Sequence, residues 1–600
     1  MQLQRTSIAL AITLSAVIAG PRAAEQNKTR GAGGAHAKID RLLGQVEQHA
    51  GQNDRVPIIV TTRTGAAERV KGAIHQAGGV LQQDHSFIDA FSAEMPVGRL
   101  RALAARTDVL GVSADAPVVA SADIVGTLTD NMLLPTLGLV ASPNAGKDVG
   151  IAVLDSGIVS HEQIPVAAFY NFLKGGARVK QFDDYGHGTH VAGMIRSQDD
   201  KSDARYRSVA GGTRLIGMKV LGADGAGTTS AVIAALDFAI ANKAALKIDV
   251  INLSLGHPIY EPAATDPLVR AVERAVASGI VVVVAAGNMG LNPQTGQVGY
   301  AGITSPANAP SAITVGAVDT KNTITRSDDV VAPFSSRGPT WYDAYAKPDV
   351  VAPGRRVVSF MAKNSYLYQA YPSWYVNAAT RTYMTLSGTS MAAAVTTGVV
   401  ADIIAESRTA NGGRTPTPNA IKAILQFTAV PVANADTLSQ GAGAINAAGA
   451  IALAKAIDTG VPASSWWLTR GITPATTLSN GEVLTWAQRF IWGDEIIWGT
   501  QIYSNQAAWG LQVVWGNRAA WGDEIIWGTT DDSVVWSTRA TWGDEIIWGT
   551  TLLGYDYKGV LVYGDAIDWR FVTADSLAWG SLGTGTNPGS TQFSLWNPVF

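Results

Sequence analysis

The chain has 600 residues, with 45 basic and 48 acidic side chains and no cysteine. A single hydrophobic core rarely organises so many residues, so several domains are expected. The formal net charge of -3 gives no long-range attraction for nucleic acid or an anionic membrane, and the lack of cysteine excludes disulfides and thiolate metal sites.

The first 24 residues have the pattern of a secretory signal peptide. Arg5 precedes an apolar run over residues 8–20, which is long enough for the core of such a signal and short for a membrane span. A proline and an arginine interrupt the small residues that a cleavage site needs, so Ala23 or Ala24 is predicted to be the last residue removed. Secretion or association with the cell envelope is therefore predicted. A retained membrane anchor is the alternative.

A small α+β domain is predicted over residues 55–120, after a linker at 25–54 that contains one short helix near 39–49. The spacing of apolar residues indicates elements in the order strand, helix, strand, strand, helix, strand. The predicted elements are 56–62, 66–77, two strands within 80–95, 97–105 and 109–113. This order is that of the split βαβ, or ferredoxin-like, arrangement.

Five short apolar runs follow, separated by helix-like segments. Strands of this kind are buried on both faces, which is typical of a parallel sheet covered by helices. The predicted strands are 149–154, 214–220, 250–255, 280–286 and 312–317. The predicted fold class is α/β, a doubly wound and mostly parallel sheet, in which ligands bind outside the carboxyl ends of the strands.

Four polar residues stand at strand ends or at the start of a buried helix. Asp155 ends the first predicted strand, and His187 lies between two glycines in GHGTHVAG. Asn288 follows the strand that ends in AAG, and Ser390 lies in GTSMAAA. A serine hydroxyl becomes a good nucleophile when a base, an orienting acid and an oxyanion donor accompany it. The chain supplies one residue of each type, which predicts nucleophilic catalysis by Ser390.

The order Asp, His, Asn, Ser, with the sequences around these residues, resembles the subtilisin-like serine proteases, the subtilase family, over residues 121–460. The resemblance implies an endopeptidase that forms an acyl-enzyme. In this reading Asp155 orients His187, and His187 takes the proton of Ser390. Asn288 and the backbone N–H of Ser390 then stabilise the oxyanion.

The resemblance also implies that residues 55–120 are a propeptide, which assists folding and then blocks the active site. Its removal by self-cleavage is expected between residues 117 and 126. Protein or peptide substrates and this propeptide are therefore the predicted partners, and nucleic acid is not one. Structural calcium is compatible with the family, although no loop has a ligand spacing that supports a site.

A first specificity pocket is implied between two backbone segments of the chain. The residues assigned to it are Ser254, Leu255, Gly256, Ala286, Gly287 and Gly299. These residues carry no charge, and most of them are small, so a large apolar or aromatic residue is predicted just before the scissile bond. Leu255 and Gly256 are expected to pair with an extended peptide backbone.

His190, at helical spacing from His187, is interpreted as a structural residue. The alternative is a metal site formed by the two histidines with Asp183 and Asp184, but no further ligand cluster is near them in the sequence.

The sequence departs from the family pattern at Ala394, where a proline is usual. Extra sequence is present near residues 257–266 and 362–382, where loops either extend the groove or pack over it.

Residues 461–600 are predicted to form a separate, β-rich repeat domain. All but two of the 17 tryptophans lie here, mostly six residues apart, and WGDEIIWGT begins at Trp492, Trp521 and Trp542. An even spacing keeps the rings on one face of an extended chain and scatters them around a helix. The favoured interpretation is a core of stacked indoles, and a binding face for glycan or the cell envelope is the alternative.

The sequence as a whole predicts a secreted serine endopeptidase that processes itself. The alternative is a binding or surface-attached protein whose tryptophan repeats are the functional part. The presence of Asp155, His187, Asn288 and Ser390 together favours the enzyme.

Overall fold

The computed structural model describes residues 38–120, 132–458 and 470–486, with gaps at 143, 198–205, 292–297, 344 and 377–381. It also describes the backbone of four short strands between residues 489 and 565. The predicted signal peptide and most of the tryptophan repeats lie outside the described residues.

Residues 38–114 form a unit around a four-stranded antiparallel sheet with the order β2-β3-β1-β4. The elements of this unit are α1 (Arg41–His49), β1 (Arg55–Thr62), α2 (Ala67–Gln76), β2 (Val80–His85), β3 (Ala90–Pro96), α3 (Leu100–Ala104) and β4 (Val109–Ala114). The two helices α2 and α3 contribute Val70, Ile74 and Leu100 to the same buried core as the strands. From β1 onward, the elements occur in the order predicted from the sequence.

Helix α1 belongs to this unit, although its residues were predicted to lie in a linker. Asp40 caps the helix by accepting the Leu43 N–H at 2.7 Å, and its other oxygen accepts the Ala114 N–H at 2.6 Å. Leu43 is fully buried in the core of the unit. The folded unit therefore starts earlier than the predicted boundary at residue 55.

The larger part of the chain is built on a mixed sheet, in which nine strands are described. They are β6 (Gly150–Asp155), β7 (Val166–Asn171), β8 (Ala177–Arg178), β9 (Arg214–Lys219), β11 (Ile248–Leu253), β13 (Val281–Ala285), β15 (Ile313–Asp319), β16 (Val330–Val331) and β17 (Val350–Pro353). The order is β16-β15-β13-β11-β6-β9-β7-β8, with β17 also paired to β15. The pairs are parallel apart from β15 with β16 and β7 with β8. The predicted α/β class with a mostly parallel sheet is confirmed.

Helices connect and cover these strands. They are α4 (Leu133–Thr136), α5 (His187–Ile195), α6 (Thr229–Ala241), α7 (Lys243–Leu246), α8 (Pro267–Ala277), α9 (Tyr366–Ala370), α10 (Thr389–Ala410), α11 (Pro418–Thr428), α12 (Thr437–Gln440) and α13 (Ala447–Ala456). Helix α10 packs against β11, β13, β15 and β17. Within the described residues it alone has the length and hydropathy of a membrane span, but 94% of its apolar stretch is buried inside the fold, as in a core helix.

A second, three-stranded sheet connects the N-terminal unit to the larger part. Its central strand is β5 (Pro117–Ala120), which lies between β10 (Ala226–Thr228) and β12 (Leu255–Gly256) and runs antiparallel to both. Just before β5, the Asp115 carboxylate accepts the N–H of Ser230 at 2.8 Å and its hydroxyl at 2.6 Å, in the first turn of α6. The end of the N-terminal unit is thus held as a strand along the face of the larger part.

The remaining described strands are β14 (Gly299–Tyr300), β18 (Val357–Phe360), β19 (Tyr383–Leu386), β20 (Ala475–Thr477), β21 (Val483–Thr485), β22 (Arg489–Trp492), β23 (Glu495–Trp498), β24 (Thr551–Tyr555) and β25 (Leu561–Asp565). In the first tryptophan repeat, β22 and β23 pair antiparallel with Trp492 opposite Glu495. The chain therefore reverses direction between β22 and β23, within the first repeat. The other two repeats lie outside the described residues.

Candidate active site

Asp155 and His187 form a buried hydrogen-bonded pair at the carboxyl end of β6. Asp155 is the last residue of β6, and His187 is the first residue of α5. Nδ1 of His187 lies 2.8 Å from Oδ1 and 3.0 Å from Oδ2 of Asp155. The Ser156 N–H donates to Oδ1 at 2.7 Å and helps to hold the carboxylate in place. A carboxylate at Nδ1 keeps the proton on that nitrogen, so Nε2 is left to accept one.

Asp183 positions the start of the helix that carries His187, a role that sequence reasoning missed. One of its oxygens accepts the Gly186 N–H at 2.8 Å, and the other accepts the N–H of Thr189 at 2.9 Å and its hydroxyl at 2.6 Å. The Ser156 hydroxyl also donates to Asp183, at 2.9 Å. The first N–H groups of a helix have no partner within the helix, and a carboxylate there satisfies them. An acidic residue a few positions before the helix was the available signal.

The two glycines beside His187 are required by the fold. Gly186 has a φ of +109°, a conformation that side chains other than that of glycine rarely adopt. A Cβ atom on Gly188 would lie 2.2 Å from the Gly157 carbonyl oxygen and 3.0 Å from Cβ of Asp155. A side chain at Gly188 would therefore push α5 away from the end of β6 and separate His187 from Asp155.

Ser390 lies in the first turn of α10, and its hydroxyl is held by the backbone of Ser254. Oγ of Ser390 donates to the Ser254 carbonyl at 3.1 Å, and Oγ of Ser254 donates to the Ser390 carbonyl at 3.2 Å. Nε2 of His187 is buried and has no hydrogen-bond partner among the described residues. The predicted hydrogen bond between Ser390 and His187 is therefore not formed in this structure. Catalytic hydrogen bonds in proteins without substrate are often long or unformed.

Asn288 faces the same helix start from the end of β13. Its Oδ1 accepts the N–H of Thr389 at 2.9 Å and the Thr389 hydroxyl at 3.1 Å. Because a backbone N–H can only donate, these contacts assign the oxygen of the amide to Thr389 and turn Nδ2 away from it. Nδ2 is buried and has no partner among the described residues. An unpaired amide donor thus lies next to the residue that precedes Ser390.

The segments predicted to line the specificity pocket lie on both sides of Thr304. The Thr304 N–H donates to the Ala286 carbonyl at 3.2 Å. A Cβ atom at Gly256 would lie 2.8 Å from Oγ1 of Thr304, and one at Gly287 would lie 3.0 Å from its methyl carbon. Thr304 therefore lies between the two predicted pocket segments, a position that sequence reasoning missed because no short motif surrounds it. Gly299 was predicted near the pocket base, and its N–H donates to the Gly290 carbonyl at 2.9 Å.

A profile of the subtilase family (Peptidase_S8) matches residues 146–450, which is half of the chain. The chain belongs to the subtilase family. Serine protease AprX of Bacillus subtilis is 38% identical over 309 residues, which are 50% of this chain and 66% of AprX. Subtilisin DY of Bacillus licheniformis is 37% identical over 262 residues, 44% of this chain and 78% of that protein.

The fold is similar to a solved structure, that of fervidolysin from Fervidobacterium pennivorans, described as a keratinolytic enzyme related to subtilisin. The similarity has a TM-score of 0.52 at 22% identity and covers 67% of this chain and 62% of fervidolysin, and it shows the fold alone. Family membership makes this subtilase a serine-type endopeptidase.

His190 of this subtilase is buried one helical turn after His187 in α5. Its Nε2 lies 3.2 Å from the carbonyl oxygens of Val357 and Met384. Burial, with a further contribution from a charge on His187, lowers the pKa of His190 to about 3, so its ring is neutral at physiological pH. Among the described residues, no group of three or more histidine, aspartate and glutamate side chains could hold a metal ion. The metal alternative for this cluster therefore lacks support, and His190 has the contacts of a structural residue.

Proposed function

We propose that this subtilase hydrolyses peptide bonds with Ser390 as nucleophile, His187 as base and Asp155 as its orienting acid. Asn288 and the Ser390 N–H are proposed to bind the oxyanion. The observation that carries the proposal is a pair of buried nitrogens, Nε2 of His187 and Nδ2 of Asn288, that have no partner among the described residues, together with the Ser390 hydroxyl in the first turn of α10. Buried polar groups without partners are rare in folded proteins, and each one needs an explanation.

In the proposed mechanism, the Ser390 hydroxyl turns from the Ser254 carbonyl towards Nε2 of His187. His187 takes the proton as Oγ attacks the peptide carbonyl, and Asp155 stabilises the imidazolium that results. The negative oxygen of the tetrahedral intermediate accepts from Nδ2 of Asn288 and from the Ser390 N–H at the positive end of the α10 dipole. His187 then gives its proton to the leaving amine, which leaves an ester on Ser390. Water, deprotonated by His187, hydrolyses that ester.

A fluorophosphonate probe tests this assignment directly, because it attaches to a serine hydroxyl that a neighbouring base activates. Mass spectrometry of the labelled protein should find the adduct on the peptide that contains Ser390. An adduct on a different serine, with none on Ser390, would remove Ser390 from the mechanism.

Residues 38–120 are proposed to act as the propeptide of the enzyme. Support comes from β5, which pairs Ala120 opposite Leu255 and Val119 opposite Gly256, the residues expected to bind a substrate backbone. In an antiparallel pair the residue after the one opposite Leu255 is expected to meet Ser254, whose carbonyl holds the Ser390 hydroxyl. The bond that follows position 121 is then the one nearest the nucleophile.

Self-cleavage is therefore expected between Ser121 and Ala122, which gives a mature chain that starts at Ala122. The measurement is the amino-terminal peptide and intact mass of the purified protein. When the active enzyme is added to the Ser390→Ala chain, the same bond should be cut in trans. A new amino terminus outside residues 118–126 would contradict the proposed register.

Binding of the cleaved propeptide is expected to depend on pH, because three carboxyl groups meet where it contacts the enzyme. Asp40 of the propeptide faces Glu261 and Asp266 of the larger part, with Arg41 and Arg270 as the neighbouring cations. Burial, together with the nearby carboxylates, raises the pKa of Glu261 to about 8. Burial also raises the pKa of Asp40 to about 6, although the hydrogen bonds that Asp40 accepts from backbone N–H groups lower it.

A carboxyl group whose pKa is higher in the complex than in the separated propeptide and enzyme takes up a proton on binding, so low pH favours the complex. The affinity of the propeptide for the enzyme should therefore fall as the pH rises above the ordinary carboxyl pKa. The fall should continue through the pKa of Asp40, about 6, and up to the pKa of Glu261, about 8. We expect the inhibition constant of separately purified residues 38–121 to rise at least about tenfold between pH 5 and pH 8. Glu261→Gln should flatten this dependence, and an unchanged slope in that variant would exclude Glu261 as the titrating group.

A preference for a large apolar residue just before the cleaved bond is also proposed. It is supported by the glycine and alanine segments on both sides of Thr304, which are uncharged. The chain's own residue at that position, Ser121, is small. Self-cleavage is then helped by the tether that holds β5 in the groove and not by the fit of this side chain.

Within the predicted repeat domain, 461–600, Trp486 packs on Phe427 in the core of the larger part. For the residues beyond Trp486, we propose a secreted β domain whose indoles form its own core, with glycan or cell-envelope contact as the alternative. Support comes from the β22–β23 hairpin in the first repeat. Deletion of residues 489–548, which leaves Trp486 in place in the core of the larger part, distinguishes the two. Loss of attachment to cells or glycan, with peptide cleavage retained, would assign the repeats to targeting.

A further inference from the structure

The long loop between β18 and β19 is attached to the segment that leads into His187. This loop, residues 361–382, contains the short helix α9 and is described except at 377–381. The Tyr366 N–H donates to the Asp184 carbonyl at 2.8 Å, and the Leu367 N–H donates to the Tyr185 carbonyl at 3.0 Å. The loop thus runs along the chain immediately before the catalytic histidine.

Four aromatic side chains form a row at this contact. The ring of Tyr366 stacks on that of Tyr185, with centroids 5.8 Å apart and planes 9° apart. Tyr371 meets Tyr366 edge-on at 6.4 Å and stacks on Trp374 at 3.8 Å. Tyr185 is buried, whereas Tyr366 is 46% exposed. We call these four residues the aromatic row.

The buried end of the aromatic row reaches the substrate groove at Gly225. A Cβ atom on Gly225 would lie 2.5 Å from Cζ of Tyr185, so the ring lies directly against this residue. The Gly225 carbonyl accepts the Ala120 N–H at 3.1 Å. Ala120 and Val118 are buried, and successive side chains of a strand alternate between faces, so both face the enzyme. The ring of Tyr185 therefore lies beside the position that Ala120 occupies in the groove.

We infer that the aromatic row determines specificity at the second residue before the cleaved bond, the position held here by Ala120, and favours apolar side chains with a flat face, aromatic residues or proline. The inference rests on the proposed function and its register. A substrate ring at this position can extend the row, and stacked or edge-on ring pairs add stability beyond the area they bury. The ring of Tyr185 is the member of the row that meets this side chain, and Tyr366 acts as a positioning residue because it stacks on Tyr185. Alanine at position 120 offers only one methyl group.

The experiment compares peptides that differ only at this second residue, with phenylalanine, proline or alanine there and the same apolar residue before the cleaved bond. For the wild-type enzyme, kcat/KM should be about tenfold higher with phenylalanine than with alanine, as expected for one ring contact plus its burial. Tyr366→Ala should reduce that ratio to within about twofold and leave kcat/KM for the alanine peptide nearly unchanged. Tyr366→Phe, which keeps the ring, should retain the preference.

Two outcomes would overturn the inference. One is a Tyr366→Ala enzyme that keeps the full preference for phenylalanine. The other is an equal loss on all the peptides, which would make Tyr366 a structural residue. Failure of the proposed function itself is distinguishable, because the wild-type enzyme would then cleave none of the peptides and Ser390 would take up no fluorophosphonate.

Discussion

Replacement of Ser390 by alanine is expected to abolish peptide hydrolysis and to leave the chain as an uncleaved precursor. The substitution removes the oxygen proposed to form the acyl-enzyme and, among the described residues, its one side-chain hydrogen bond, to the Ser254 carbonyl. In subtilisin, a member of the same family, loss of the serine alone lowers kcat about 2 × 10⁶-fold. The measurements are kcat/KM on a soluble peptide and the intact mass of the purified chain.

Ser407→Ala is the matched control, because Ser407 is also buried in α10 but lies near its other end. This variant should process itself and cleave peptides like the wild type. The Ser390→Ala precursor should also keep the circular dichroism of the folded protein. Mature protein produced by Ser390→Ala alone, with no active enzyme present, would contradict the assignment of the nucleophile.

Replacement of Asn288 is expected to have the second largest effect, and two substitutions separate its two roles. Asn288→Ala removes the unpaired Nδ2 donor, for which the corresponding loss in subtilisin is about 10²–10³ in kcat. It also removes the oxygen that accepts the Thr389 N–H, so stability should fall by about 1 kcal/mol, as for other lost helix caps. KM should change little, because the donor acts on charge that develops in the transition state.

Asn288→Asp keeps an oxygen for Thr389 and places a negative charge at the helix start, where it is favourable. This variant should therefore retain the thermal stability of the wild type, but its activity should be at least as low as that of Asn288→Ala, because a carboxylate repels the oxyanion. Thermal melts and kcat on one peptide check both statements. Recovery of activity in Asn288→Asp would show that Asn288 acts only through the stability of α10.

The central sheet and the four residues of the candidate site could be predicted because each has a strong local signal. Strands buried on both faces leave near-continuous apolar runs, and β6, β9, β11, β13 and β15 all have them. Asp155, His187, Asn288 and Ser390 stand where these runs end or where a helix begins. The carboxyl ends of parallel strands meet at one edge, so positions far apart in sequence were expected to converge.

The parts that could not be predicted depend on contacts between distant residues. Helix α1 was taken for a piece of linker because its composition is polar, and its place in the core depends on the hydrogen bond from Ala114 to Asp40. The role of Asp183 depends on how α5 packs against β6, and an aspartate three residues before a glycine is equally typical of a turn. Thr304 lies between the predicted pocket segments only through the path of the chain after Asn288.

The rotamer of Ser390 could not be predicted either, because the spacing of apolar residues carries no information about it. The sequence placed a hydroxyl near an imidazole, but the choice between two acceptors is decided by differences of about 1 kcal/mol between hydrogen bonds. In the structure, the Ser254 carbonyl is the acceptor.

This hydrogen bond between Ser390 and Ser254 leads us to expect that substrate binding in the groove activates the nucleophile. Backbone N–H groups of an extended peptide alternate in direction, and the Ala120 N–H is directed to Gly225 on the far strand. The next peptide residue then presents its N–H to Ser254, so an incoming substrate competes for the very oxygen that retains the hydroxyl of Ser390. We therefore expect a bound substrate to release the Ser390 hydroxyl towards His187, a change that β5, whose described pairing ends at Ala120, does not bring about in this structure.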